Sequence, residues 1–194
     1  MTKLSRREAI YRVSLIMGGT ISAPALSILS GCQTQVKESI TEGGLFTSTQ
    51  ENIIAEISQL IIPTTDTPGA KEAEVPEFVQ VMIADCYPEE DQKRFVSGLD
   101  QIDQEAKDTY GNSFLELDEA QQIELLTKIE MEAREKRQQD PQYTPPAILM
   151  LKELTLIGYF SSEIGATQAL SYDPVPGRYN ACTTMEPGQK AWAT

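Results

Sequence analysis

Proline and glycine punctuate this chain at intervals that suit helices. Pro63, Pro76, Pro88, Gly111, Pro141, Pro145 and Pro146 cut the stretch between residues 46 and 165 into segments of helical length. Proline ends or opens a helix because it lacks an N–H and fixes φ. Each segment carries apolar residues three and four apart, and no alternating strand pattern persists beyond a few residues. The pattern predicts an all-α fold, a single irregular bundle of about five helices.

The segments can be read one by one. "STQENIIAEISQLIIP" places Ile53, Ile57, Leu60 and Ile61 on one face, and Pro63 ends it. Ser48 with Glu51 forms an S-x-x-E capping box, which satisfies free N–H groups at a helix start. "TTDTPGAKEAEVP" is a loop of turn formers. Pro76 suits a first helical position, and Phe78, Val79, Met82, Ile83 and Cys86 form a second stripe. Pro88 opens a third helix, with Glu89, Glu90 and Asp91 at its positive end. Phe95, Leu99, Ile102, Ala106 and Tyr110 line that helix, and Gly111 suits its stop.

Asp118 with Gln121 begins a fourth helix, with Ile123, Leu126, Ile129 and Ala133 on its inner face. Its outer face, through "EMEAREKRQQD", reads as solvated surface. "AILMLKELTLIGYFSSEIG" is apolar nearly all round, which predicts deep burial in the fold or against a partner. From Ala166 to Thr194, Pro, Gly and aromatics replace helical periodicity. This segment is too apolar for simple disorder and predicts a packed, extended C-terminal arm.

Charge divides the chain. It has 16 Lys and Arg against 29 Asp and Glu, a net of −13. Residues 1–31 hold Lys3, Arg6, Arg7 and Arg12 against Glu8, so the remainder from Cys32 is more acidic still. A basic head on an acidic body suits a targeting segment on an exported domain. The acidic body argues against nucleic acid, whose phosphates favour Lys and Arg.

In the head, Arg6–Arg7 precede an apolar run diluted by Gly18, Gly19, Thr20, Ser22 and Ser27 and interrupted by Pro24. A spanning helix needs about 20 strongly apolar residues, so a cleavable signal fits better. The paired arginines resemble a twin-arginine export signal, with Ala9 where Phe is usual; ordinary secretion stays open. "LSGC", ending at Cys32, resembles a lipobox, in which that cysteine is lipidated. The alternative is cleavage nearby with Cys32 incidental. Residues 1–31 are thus expected to be a twin-arginine-type lipoprotein signal, residues 32–45 a flexible tether and residues 46–194 the helical domain. The chain is expected to be exported, periplasmic and lipid-anchored to a bacterial membrane.

Catalytic chemistry finds little footing. The chain has no histidine, which removes the usual general base and the commonest metal ligand. Glu89, Glu90, Asp91, Asp118 and Glu119 sit at helix starts, where the helix dipole accounts for them. There is no calcium loop, no phosphate loop and no G-x-G-x-x-G for FAD or NAD. No catalytic residue, metal ligand or cofactor-binding residue is therefore assigned. Cys86 and Cys182 either pair in an oxidising compartment or remain a core residue and a free thiol. A bridge would close a loop of 97 residues, for about 4–5 kcal/mol by chain entropy.

"ISQLIIPTTDTPGAKEAEVPEFVQVMIADCY" and "LKELTLIGYFSSEIGATQALSYDPVPGRYNAC", with "KAWAT" at the end, resemble the gluconate 2-dehydrogenase subunit 3 family. The resemblance spans almost all of residues 46–193. It implies a small, non-catalytic subunit beside a large FAD-dependent flavoprotein of the glucose–methanol–choline (GMC) type, often with a multihaem cytochrome c subunit. FAD and the catalytic base belong to the large chain. The resemblance also implies twin-arginine export, with the small subunit carrying the signal for its partner. A stand-alone helical lipoprotein with a binding or structural role is the competing expectation.

An all-round apolar helix followed by an aromatic arm suits a surface completed by another chain. Tyr159, Phe160, Tyr172, Pro174, Pro176, Arg178 and Tyr179 are the candidate interface residues. The alternative is that they cap this chain's own core.

Overall fold

A computed structural model describes residues 44–140, 142–177, 182 and 184–193. Arg6, Arg7, Cys32, Arg178 and Tyr179 lie outside the described residues. Helix α1 runs Ser48–Ile61, α2 Val75–Cys86, α3 Glu89–Tyr110, α4 Glu119–Gln139 and α5 Ala147–Ser161. A 3-10 turn at Phe114–Glu116 joins α3 to α4, and a π-helical turn at Gly165–Ala169 follows α5. The protein is all-α, apart, among the described residues, from one two-residue parallel pairing. In it, β1 (Ser171–Tyr172) meets β2 (Trp192–Ala193), with Ser171 opposite Trp192 and Tyr172 opposite Ala193.

Local chemistry sets most helix boundaries. Helix α3 begins after Pro88, with Glu89, Glu90 and Asp91 in its first turn. It ends at Gly111, whose φ of 80° is the left-handed conformation that glycine adopts without strain. Helix α4 begins with a reciprocal capping box: Gln121 N–H donates to Asp118 Oδ1 at 2.9 Å, and Asp118 N–H donates to Gln121 Oε1 at 3.3 Å. The box of α1 sits one residue earlier than expected, with Thr47 and Gln50 in place of Ser48 and Glu51. The reason is tertiary. Gln50 is buried, and its amide donates to Asp100 of α3 at 2.8 Å while its oxygen accepts from Thr47 N–H.

Helix α5 is the hub and packs on all four other helices. Leu151 and Leu154 from α5 share one core with Ile53, Ile54 and Ile57 of α1, Val79 and Ile83 of α2, and Phe95 and Leu99 of α3. Gly158 lets α5 approach α2 closely, because a Cβ there would stand 2.6 Å from the Phe78 ring. Helix α4 is fastened to α5 by charge. Lys152 Nζ donates to both Glu130 carboxylate oxygens, at 2.9 and 3.0 Å, and Arg134 holds Glu130 from its own helix.

Three expectations change here. The inner face of α4 is rotated: Gln122, Leu125, Leu126 and Ala133 are buried, whereas Ile123 is 46% exposed. Gln122 tolerates burial because its amide donates to the Phe114 carbonyl at 2.9 Å. Cys86 is exposed at the end of α2 rather than part of its apolar stripe. The arm is extended but poorly packed, with Val175 and Met185 each 79% exposed.

Candidate functional site

The two stretches that carry the family resemblance meet in space. Tyr159 of α5 is 2% exposed, and its hydroxyl donates to the Pro68 carbonyl at 2.7 Å. Pro68 belongs to the turn between α1 and α2, which holds itself together. Thr65 N–H donates to the Thr67 carbonyl, Ala70 N–H to the Ile62 carbonyl, and Lys71 N–H to Gln59 Oε1. One turn earlier on α5, the Thr155 hydroxyl lies 3.3 Å from that of Ser58 on α1, both buried.

The end of α5 is equally specified. Ser162 Oγ donates to the Tyr159 carbonyl at 2.7 Å and accepts from Gly165 N–H at 2.9 Å. Gly165 sits so close to the Tyr159 carbonyl that any side chain there would collide with backbone. "TTDTPGA" and "GYFSSEIGA" therefore form a structural seam that fixes the direction in which the chain leaves α5.

Beyond the seam lies a group of exposed apolar side chains. Leu156, Ile157 and Phe160, spaced as one helical face, are 42%, 48% and 44% exposed. The π turn packs on α5 and on β1, which ends at Tyr172; β2 begins at Trp192, and the register turns these two exposed side chains to opposite faces of the pair. A two-residue parallel pairing is far below the size that stands alone. Exposed apolar side chains grouped in this way make this end of α5 a candidate interaction surface.

The candidate interface residues divide. Phe160, Tyr172, Pro174 and Pro176 are exposed. Tyr159 is a core residue, 2% exposed, whose ring lies beneath the exposed Phe160 and meets it edge-on at 5.2 Å. Leu156 and Ile157 were not singled out from the sequence. Their signal was there: a helix apolar on every side cannot bury every side in so small a bundle. Cys86 and Cys182 are both exposed free thiols, not a bridge.

The titratable groups that depart from ordinary behaviour lie elsewhere and join helices. Lys152 chiefly, with Arg134, holds the Glu130 carboxyl below its usual range against the opposing effect of burial. Burial pushes Asp103 up, but its bonds from Lys107 and from Phe114 N–H together leave it lowered. Between α1, α4 and α5, Leu60, Ile61, Ile123, Leu126 and Ile148 line an open groove with Glu130 and Lys152 at its rim. Among the described residues, no group of three or more Cys, Asp or Glu is placed to hold a metal ion. None of the described helices is long and apolar enough to cross a membrane.

Neither the curated proteins nor the solved structures compared with the chain gave a match. Residues 48–177 match the family described as gluconate 2-dehydrogenase subunit 3. The match runs from the first residue of α1 past β1 and so takes in all five helices, the seam and the exposed face of α5. The chain belongs to the gluconate 2-dehydrogenase subunit 3 family.

Proposed function

We propose that this chain is the non-catalytic small subunit of an exported, FAD-dependent sugar, sugar-acid or polyol dehydrogenase, and that it escorts the catalytic flavoprotein out of the cytoplasm. The observation that carries this reading is the family match over residues 48–177, since a subunit 3 implies a complex with a catalytic partner. The partner in this reading is a large GMC-type flavoprotein holding FAD, in a complex that has room for a cytochrome c subunit as well. The residues of this chain support the division of labour. Many of its carboxylates are accounted for by helix starts and ion pairs, and its distinctive motifs build a seam.

The paired Arg6–Arg7 give the escort its physical logic. A flavoprotein binds its cofactor as it folds, so it must cross the membrane folded, by the route that such arginines address. Cys32, once lipidated, would hold the complex at a membrane, each buried methylene contributing about 0.8 kcal/mol.

The test is co-expression of the full chain with a GMC-type flavoprotein from the same genome. Purification through a tag on this chain should bring down a second subunit with flavin absorbance near 450 nm (roughly, for an oxidised flavin). Replacing Arg6–Arg7 by Lys-Lys should leave both subunits in the cytoplasm. A colourless lone chain, or export of the flavoprotein without the arginines, refutes the escort. The first of these outcomes favours a stand-alone lipoprotein.

A further inference from the structure

We propose that the exposed stripe Leu156, Ile157 and Phe160 on α5 is the seat of the catalytic subunit. The matching face of that subunit carries an apolar centre with a lysine and arginine rim. This rests on the accessory-subunit reading above and gives it a location.

Three observations converge. The stripe lies on the helix at the centre of the bundle, so whatever covers it is coupled directly to the core. The side chains beneath are rigidly held: Gly158 is pressed against Phe78, and Tyr159 is tied to Pro68. A pre-organised apolar face loses little entropy when it is covered. The β1–β2 pair, joined to α5 through the π turn, is too small to stand alone and gains from a partner packed beside the stripe.

Charge selects the occupant. Glu153 stands one turn before Leu156 and Ile157 on the same face, and Glu163 follows just beyond the helix end; both are exposed. Asp173 adjoins Tyr172. None of the three is in an ion pair with another described residue. Of the neighbouring lysines, Lys152 is held by Glu130 and Lys190 donates to the Gln168 carbonyl. A second copy of this chain would meet the stripe with the same acids, which repel in a two-fold interface. An anionic lipid surface is repelled likewise. A different protein with a basic rim satisfies both the apolar centre and the carboxylates.

The experiment uses the full chain co-expressed with the GMC-type flavoprotein that it retains in the co-purification above. Leu156→Glu with Phe160→Glu should weaken the complex by at least about 30-fold, the loss expected at an interface centre. A second variant, Glu153→Lys with Glu163→Lys, keeps the apolar stripe and changes only exposed carboxylates. It should slow association several-fold and abolish the slowing that salt causes with wild type. Helical circular dichroism and an unchanged melting profile establish that each variant is folded. Wild-type affinity in the folded L156E/F160E chain overturns the surface assignment. So does loss of self-association, or of binding to phosphatidylglycerol vesicles, with the flavoprotein complex intact. Failure of the wild-type chain itself to hold the flavoprotein defeats the accessory reading, a result distinct from any variant effect.

Discussion

Tyr159→Phe separates a structural seam from a binding anchor at a single atom. The substitution removes the hydroxyl that donates to Pro68 at 2.7 Å and leaves the ring in place. The ring is 2% exposed, so its apolar burial and its edge contact with Phe160 persist. What is lost is one hydrogen bond, about 1 kcal/mol net, plus the cost of an under-satisfied carbonyl, about 1–3 kcal/mol when fully buried. The bond is only partly buried, so water reaches the carbonyl in part and the lower end applies. The expected loss is about 1–2 kcal/mol, or roughly 3–6 °C in Tm for a domain of this size. Urea unfolding followed by circular dichroism should show an earlier midpoint at unchanged slope. The flavoprotein should still co-purify with the folded variant. An unchanged midpoint combined with a lost complex would refute the seam and return Tyr159 to the interface.

Three further outcomes follow from the same geometry. Gly165→Ala drives a methyl group into the Tyr159 carbonyl, and should cost about 3 kcal/mol or more in urea unfolding because backbone must move. Glu74 initiates α2 at φ 54°, in the left-handed region, and Glu74→Gly should raise stability by up to about 1 kcal/mol in the same assay. Glu130 and Asp103 have carboxyl groups held below their ordinary range. Their stabilisation is full above the unfolded carboxylate range and is lost as pH falls through the lowered folded values, from about pH 5 downward. The urea midpoint should therefore fall on acidification, and Glu130→Gln should flatten that fall; an identical pH profile in the variant would exclude the ion pair as its source.

Some elements were legible because their determinants are neighbours in sequence. Helix α3 starts after Pro88 and stops at Gly111, and α4 is capped by Asp118 with Gln121. Other elements were not, because two local solutions were nearly equal. "TSTQE" contains both T-x-x-Q and S-x-x-E, and only the bond from Gln50 to Asp100, fifty residues away, selects the first. Ile123 looked like a core residue and Gln122 like surface until the Phe114 carbonyl took up the glutamine amide.

Taken alone, the sequence determined that the body is helical, where its helices are punctuated, and that it is strongly acidic. It also carried the seam motifs, without their meaning. Tertiary structure decided which face of each helix is inside. It turned Tyr159 inward to Pro68 and left Leu156, Ile157 and Phe160 outward on the same helix. The physical reason is that helical periodicity says which residues share a face, whereas burial depends on what stands opposite. An all-apolar helix such as α5 offers several equivalent faces, and only the packing of α1, α2, α3 and α4 around it leaves one of them bare.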